Sequence, residues 1–410
     1  AADVLSQQGV SVHLFDAMPS VGRKFLLAGR GGLNLTHSEQ ATQFRVRYGE
    51  RRAEVGRWLD LLDAQGVRDW ASTLGIETFV GTSGRVFPVE MKAAPLLRAW
   101  LHRLRHPISG VPVQFHMRHR WLGWQAQGLV FERSVDGATV HVQARATVLA
   151  LGGASWPRLG SDGAWAPLLS KHAVAVNTLK PANCGFDVMG RAGQGWTEHF
   201  RTRYAGQPLK SVALTVPATG VSDAQARFAR KGEFVITETG VEGSLVYAAS
   251  AWLRDDLESL GQAQLCIDLL PDKSIAQVRS ALLWPRGSRS WSSHLKSRLG
   301  LDGVKAGLLY EQLGSDGMHQ PKLLAEAIKS VRLPLCAPRP VTEAISTAGG
   351  VCLSALTSQG MVTPLTGVFC AGEMLDWEAP TGGYLLTACL ATGRWMGLAA
   401  GNYLRADSMN

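Results

Sequence analysis

The sequence lacks the features that would place it in a membrane or outside a cell. It has no run of 18 or more apolar residues, which excludes an ordinary membrane-spanning helix. No basic segment followed by an apolar stretch opens it, so no secretion leader is expected. Cysteine is scarce. The six residues Cys184, Cys266, Cys336, Cys352, Cys370 and Cys389 are scattered and never form C-x-x-C. That spacing argues against a disulfide framework and a zinc site, so no metal is expected, and it favours reduced thiols in a cytoplasmic protein. No internal repeat and no low-complexity tract is present, which sets aside a solenoid or a long disordered tail.

The remaining composition is ordinary for a globular protein, with 46% hydrophobic and 18% charged residues. At 410 residues the chain is too long for one compact core, so two or more domains are expected. The net charge of +9 suits an anionic partner: nucleic acid, an acidic substrate or a dinucleotide. The basic residues are spread out, however, and the densest runs, "RVRYGERR" and "HMRHRWLGW", are short. A diffusely basic surface is the plainer reading.

Three regions follow one another. Residues 1–175 mix helices and short strands. In "EVGRWLDLLDAQGVRDWASTLGI", Val55, Trp58, Leu59 and Leu62 keep helical spacing. "VPVQFHMRHRWLGW", "GLVFERS" and "ATVHVQ" read as strands, and "ATVLALGGASWP" as a buried strand ending on two glycines. Residues 176–340 open with the strands "KSVALTVPA" and "EFVITET" and continue into the helices "AQVRSALLW" and "KLLAEAIKSV". Residues 341–410 return to an apolar strand, a glycine-rich turn and a helix from Leu385 to Met396.

The opening "AADVLSQQGVSVHLFDA" reads as a short helix carrying Ala2 and Leu5, a turn, and a strand alternating Val10, Val12 and Leu14 that stops on Asp16. An acid at a strand end suits the second strand of a dinucleotide-binding βαβ unit, where it takes ribose hydroxyls. The glycine-rich turn of such a unit lies about 20 residues earlier, and counting back from Asp16 passes Ala1. At the other end, "GVFCAGEMLD" is a strand running into Gly372 and Glu373, and "TGGYLLTACLATGRWMG" is a helix opened by a glycine pair. Free N–H groups at that helix start favour negative charge. Either half alone also reads as an ordinary strand–turn–helix.

Together these blocks resemble a family of flavoproteins with a glutathione-reductase-type FAD fold, the aminoacetone-oxidase-like or BaiN-type NAD(P)/FAD-dependent oxidoreductases. The resemblance covers nearly the whole chain. It rests on five ordered stretches: "GRKFLLAGRGGLNLTH", "GRVFPVEMKA", "ALGGASWPRLGSDG", "TETGVEGS", and the C-terminal pair "STAGGV" and "AGEMLDWEAPTGGY". Family members begin with a strand and G-x-G-P-A-G-x-x-A-A. The resemblance therefore implies that residue 1 falls at the Ala-Ala end of that motif, and that a chain without the glycines holds FAD poorly. Departures fall at Asp16 in place of Glu, at Gly31-Gly32-Leu33-Asn34 in place of G-R-C-N, at His37, at Glu238, Glu242 and Ser244, and at Leu385. They bear on the substrate more than on the cofactor.

By resemblance, Asp16 would hold the adenosine ribose, with Arg23 and Lys24 along the ribose and pyrophosphate. Gly29, Gly31, Gly32 and Asn34 would pass near the flavin. Trp121 would offer main-chain contacts to the adenine, and Gly152 and Gly153 would close beside the cofactor. Gly372, Glu373 and Asp376 would meet the ribityl–phosphate portion, and Gly383, Tyr384, Leu385 and Leu386 the pyrimidine end of the ring. The candidate catalytic residues are His37, Arg158 and Tyr384, with Trp156 and Glu238 behind them. A capping or solvent-facing His37, a packing Trp156 or Tyr384, and a surface Arg158 are the plainer alternatives.

The expected fold is therefore α/β. A discontinuous, Rossmann-like, three-layer FAD domain spans 1–175 and 341–410, with an inserted β-rich plus helical substrate domain at 176–340. The expected activity is FAD-dependent oxidoreduction of a small organic molecule, with NADH or NADPH as a transient electron donor. No second G-x-G-x-x-G marks a dedicated NAD(P) domain. The alternative is a flavin- or nucleotide-binding protein without turnover, associated with nucleic acid through its charge.

Overall fold

The computed structural model describes residues 1–407 apart from 30, 127, 192 and 219–225. The chain divides into two compact units, Ala1–Lys180 with Ile345–Asn410, and Pro181–Ala344.

The outer unit is built around two parallel strand pairs. His13–Asp16 pairs with Gln114–Met117, and Thr147–Leu149 pairs with Val368–Cys370. The second pair joins residues more than 200 positions apart, so it fastens the two chain segments of this unit together. Two three-stranded antiparallel sheets flank them: His119–Gln125, Gly128–Arg133 and Ala138–Val142, and Thr36–His37, Thr78–Val80 and Arg85–Pro88. The stretch expected as one helix breaks in two, Arg52–Leu59 and Ala64–Thr73. Asp63 is the cause. Its side chain accepts the Gly66 N–H at 2.8 Å and starts a new helix with an N-cap. "VPVQFHMRHRWLGW" is likewise two strands, because Arg118 has a left-handed φ of 62°.

The C-terminal helix, Tyr384–Asp407, runs well past the expected Met396. It buries a stripe of small residues (Thr387, Ala388, Ala391, Thr392, Ala400) with Met396 among them. That stripe belongs to the core that also holds Leu149, Phe369, Met374 and Trp377.

The inserted unit is a closed barrel with helices. Phe186–Gly190 pairs with Gly240–Glu242 on one side and Val331–Pro338 on the other. The ring continues through Ala226–Ile236, Pro208–Pro217 and Ala263–Asp268, all antiparallel. Closure leaves none of these six strands at an open edge. The period-two pattern explains the inward faces: Ala263, Leu265 and Ile267 are buried on one strand, and Val331, Leu333 and Leu335 on the next. In Pro208–Pro217 the alternation slips by one between Leu209 and Val212, where Ser211 has a φ of 51° and a bulge restores the register. The helix Ile275–Leu283 starts with a capping box between Ser274 and Gln277.

Candidate cofactor site

In the outer unit, a partly buried ion pair ties the helix Arg23–Ala28 to the turn that follows the strand Val368–Cys370. Lys24, in the helix Arg23–Ala28, places Nζ 2.7 Å from Glu373 Oε2 and 2.6 Å from Ser155 Oγ. The other Glu373 oxygen accepts the Thr347 N–H at 3.0 Å, and Thr347 Oγ1 accepts the Ala154 N–H at 2.9 Å. Asp376 is paired with Arg51 and accepts from Asn177 Nδ2 at 3.0 Å. Lys24, Glu373 and Gly153 are thus brought together. The Lys24 charge, expected along ribose and pyrophosphate, is already matched by a carboxylate of the chain. Ser155, Thr347, Arg51 and Asn177 were not singled out from the sequence. Ser155 and Thr347 lie inside the quoted blocks and Arg51 inside the basic run "RVRYGERR", whereas nothing marked Asn177.

A second cluster forms at the start of the C-terminal helix. The Tyr384 ring stacks on His37 with centroids 5.4 Å apart, and the Arg47 guanidinium lies 5.7 Å from its centroid. Arg47 forks onto Glu39 at 3.0 and 2.8 Å. Burial tends to push the Glu39 carboxyl up, but Arg47 and the Tyr384 hydroxyl outweigh it and hold the group below its usual range. Burial and Glu39 push the Tyr384 hydroxyl well above its ordinary value, so it stays protonated. His37 Nδ1 accepts the Glu39 N–H at 3.1 Å, and Nε2 lies 3.1 Å from the Ser83 carbonyl. That pattern assigns the proton to Nε2 and occupies both ring nitrogens. Tyr48 donates to the Tyr384 carbonyl at 2.8 Å and meets Trp377 edge-on, and Trp377 Nε1 donates to the Gly372 carbonyl at 3.1 Å. This chain of contacts joins the two clusters. Leu385 and Leu386 pack partly buried on the core beside them.

The remaining expected residues have their own neighbours. Asp16 accepts the Met18 N–H at 2.8 Å, and Arg23 Nε lies 3.2 Å from Ser20 Oγ. Burial raises the Asp16 carboxyl above its usual range despite the pull of that N–H and of Arg23. Trp121 pairs through its backbone with Phe131 and sets its ring edge-on to Trp124. Trp156 holds a left-handed φ of 63°, with the Arg158 guanidinium 5.0 Å from its ring centroid. Glu238 lies exposed in the inserted unit.

The glycines separate into two kinds. A Cβ on Gly29 would lie 2.5 Å from Ala93 Cβ, one on Gly153 2.3 Å from Thr347 Oγ1, and one on Gly383 2.5 Å from Thr36 Cα. Those three are explained by close packing within the chain. By contrast, Gly31 with φ +80° has nothing within 4 Å of such an atom, and Gly372 with φ +79° has only Cys389 Sγ at 3.8 Å. At Gly152 the nearest atom is Ser161 Oγ, at 3.2 Å. Gly32 has the flexible end of Met91 at 2.5 Å.

Several buried polar atoms in this unit have no hydrogen-bond partner: Asn34 Oδ1, Ser161 Oγ and Trp121 Nε1 in the expected cofactor segments, and Gln8 Oε1, Trp100 Nε1 and Arg103 Nε outside them. Each leaves a polar atom unsatisfied at a cost of about 1–3 kcal/mol. Open glycine turns, unsatisfied oxygens and an undercompensated Asp16 fit a long polar cofactor such as FAD.

Parallel strands ending on such turns, with a closed barrel inserted between the two segments, are the architecture of an FAD-dependent oxidoreductase with a Rossmann-type cofactor domain. The chain belongs to the family described as HI0933-like protein Rossmann domain, whose model matches residues 1–399. It is 24% identical over 411 aligned positions to the 3-dehydro-bile acid delta(4,6)-reductase of Clostridium scindens, covering 96% of this chain and 94% of that protein. Similar solved structures include a quinol–fumarate reductase with menaquinol (TM-score 0.47, 13% identity, 98% of this chain and 68% of the other). Another is the 3-ketosteroid delta1-dehydrogenase of Sterolibacterium denitrificans with 1,4-androstadiene-3,17-dione (TM-score 0.34, 16% identity, 91% and 72%). The protein is an FAD-dependent oxidoreductase, and the reading without turnover is set aside. No helix among the described residues is long and apolar enough to cross a membrane.

Proposed function

We propose that this enzyme works as a reductase of a small organic molecule carrying a double bond conjugated to a ketone, with NADH or NADPH as its transient electron donor. The observation that carries the reading is the near-full-length alignment with a reductase of a 3-dehydro-bile acid. Asp16 would take the adenosine ribose. Gly31, Asn34, Gly152, Ser161 and Gly372 would line the cofactor, with the Lys24–Glu373 pair fixing the turn around it. FAD, when bound, supplies hydride transfer.

The chain's own groups position and exclude. Tyr384, held protonated and clamped by Glu39 and Arg47, offers a fixed wall. His37, with both nitrogens engaged within the chain, would form a second wall. Arg158 has no carboxylate partner among the described residues and would hold the substrate's oxygen. Six free thiols support a cytoplasmic location.

The test is anaerobic. The FAD-loaded protein should bleach with NADH or NADPH, and its colour should return on adding a 3-keto-4-ene steroid, with the saturated ketone as product. Return of colour only with oxygen would overturn the reductase reading.

A further inference from the structure

The inserted unit contains a cavity of about 1010 Å³ that no part of the flavin reading uses. Its wall is formed by the helices Glu198–Tyr204, Trp291–Leu299 and Gly303–Met318. Its charge balance is one-sided. Three cationic side chains line it, Arg191, Arg203 and Lys296, with the His199 imidazole beside them, against two acids. Both acids are already engaged. Asp302 pairs with Lys296 at 3.1 Å, and Glu311 accepts the Thr197 N–H at 2.8 Å and its hydroxyl at 2.6 Å. Arg191, His199 and Arg203 therefore face the cavity with no carboxylate partner among the described residues.

Two further features point the same way. Arg191 is seated over a break in the longest of the three helices. Gly314 there has φ 67° and ψ −179°, and a Cβ on it would lie 2.3 Å from an Arg191 guanidinium nitrogen. Glycine takes such a positive φ without strain, and its missing side chain leaves room here for a guanidinium with no acid to meet. In addition, Ser292, Ser293 and Gly303 belong to the first turns of two helices, whose dipoles place positive potential at the cavity.

We infer that this cavity binds a small organic oxyanion, a carboxylate or a phosphate, through Arg191 and Arg203. Guanidinium groups present paired donors that match two oxygens of such a group. The Tyr204 and Tyr310 rings lining the same cavity would cover the ligand's carbon skeleton. The inference is independent of how FAD is held.

The experiment titrates the full chain with inorganic phosphate and, separately, with succinate at low ionic strength, read by calorimetry. One probe or the other should bind saturably, and which one does so separates a phosphate from a carboxylate ligand. Arg191→Met and Arg203→Met should each weaken that binding by about tenfold or more. The two arginines lie on different segments and are exposed, so the two variants check one another against misfolding. Failure of both probes to saturate would overturn the inference. So would binding that neither variant changes, which would place the anion elsewhere, for instance where FAD phosphates are held.

Discussion

Replacing Lys24 by methionine would test how the two segments of the outer unit are tied together. Lys24 and Glu373 are 349 residues apart in sequence and share a 2.7 Å contact. The Glu373 side chain is 7% exposed and that of Lys24 28%. Removing one partner of a fully buried pair costs about 3–5 kcal/mol. Water reaches Lys24 in part, so about 2–3 kcal/mol is the better figure for Lys24→Met. For a unit of this size, that corresponds to a fall in Tm of roughly 5–10 °C. Glu373→Gln should cost less, about 1–2 kcal/mol, because an amide oxygen still accepts from Thr347 or from Lys24. The double variant leaves no buried carboxylate behind. It should therefore be about 1 kcal/mol or more stabler than the sum of the single effects implies. Thermal melts of the four cofactor-free proteins, followed by circular dichroism, give the cycle. Strict additivity would refute the view that the pair acts as a unit.

Asp16→Asn should weaken FAD binding by about 10- to 100-fold, the loss of a charged acceptor. The melting temperature without FAD should hold or rise, because a buried charge is removed; unchanged affinity would mean that Asp16 merely ends a strand. Asn34→Leu should likewise cost about 1–2 kcal/mol of FAD affinity without lowering the cofactor-free melt. The depressed Glu39 carboxyl contributes stability that is full above its usual value of 4.5 and is lost as pH falls through the lower folded value. Glu39→Gln should therefore flatten the acid limb of the stability curve, and an unaltered limb would count against the Arg47 clamp. Gly153→Ala should destabilise the cofactor-free protein through the collision with Thr347. Gly31→Ala should show mainly the strain of a positive φ, about 1 kcal/mol, and a larger effect on FAD affinity measured by flavin release.

The elements most legible in the sequence are those with one dominant local signal. The strand Pro208–Pro217, the strand Val368–Cys370 and the helix Ile275–Leu283 all declare themselves through their apolar pattern. What stayed hidden depends on partners far apart in the chain. Barrel closure needs Phe186–Gly190 to find Val331–Pro338, and no local pattern encodes that pairing. The split at Asp63 was masked because the apolar spacing continues on both sides of a capping residue. In the site, the glycine blocks were visible as blocks. The pairing of Ser155 with Lys24, of Thr347 with Glu373, and of Glu39 and Arg47 with Tyr384 was not, since the quoted stretches mark residues and not which of them meet.

The same contrast tells which residues answer to the chain and which to its cofactor. Lys24 and Asp376 find their counter-charges within the protein, and Gly153 and Gly383 have packing reasons. Substituting them should be felt by the empty protein. Asp16, Asn34 and Ser161 are different: Asp16 is half-buried with one backbone donor, and Asn34 Oδ1 and Ser161 Oγ are buried without a partner. Such groups each cost about 1–3 kcal/mol, a large share of a domain stability of about 5–15 kcal/mol. A bound FAD that satisfies them stabilises the folded state by mass action as well as by contact. Saturating FAD should therefore raise the melting temperature of the parent protein more than that of Asp16→Asn or Asn34→Leu, while Lys24→Met keeps its full deficit with or without FAD. The reverse order would mean that the ion pair, and not the unsatisfied oxygens, is what the cofactor meets.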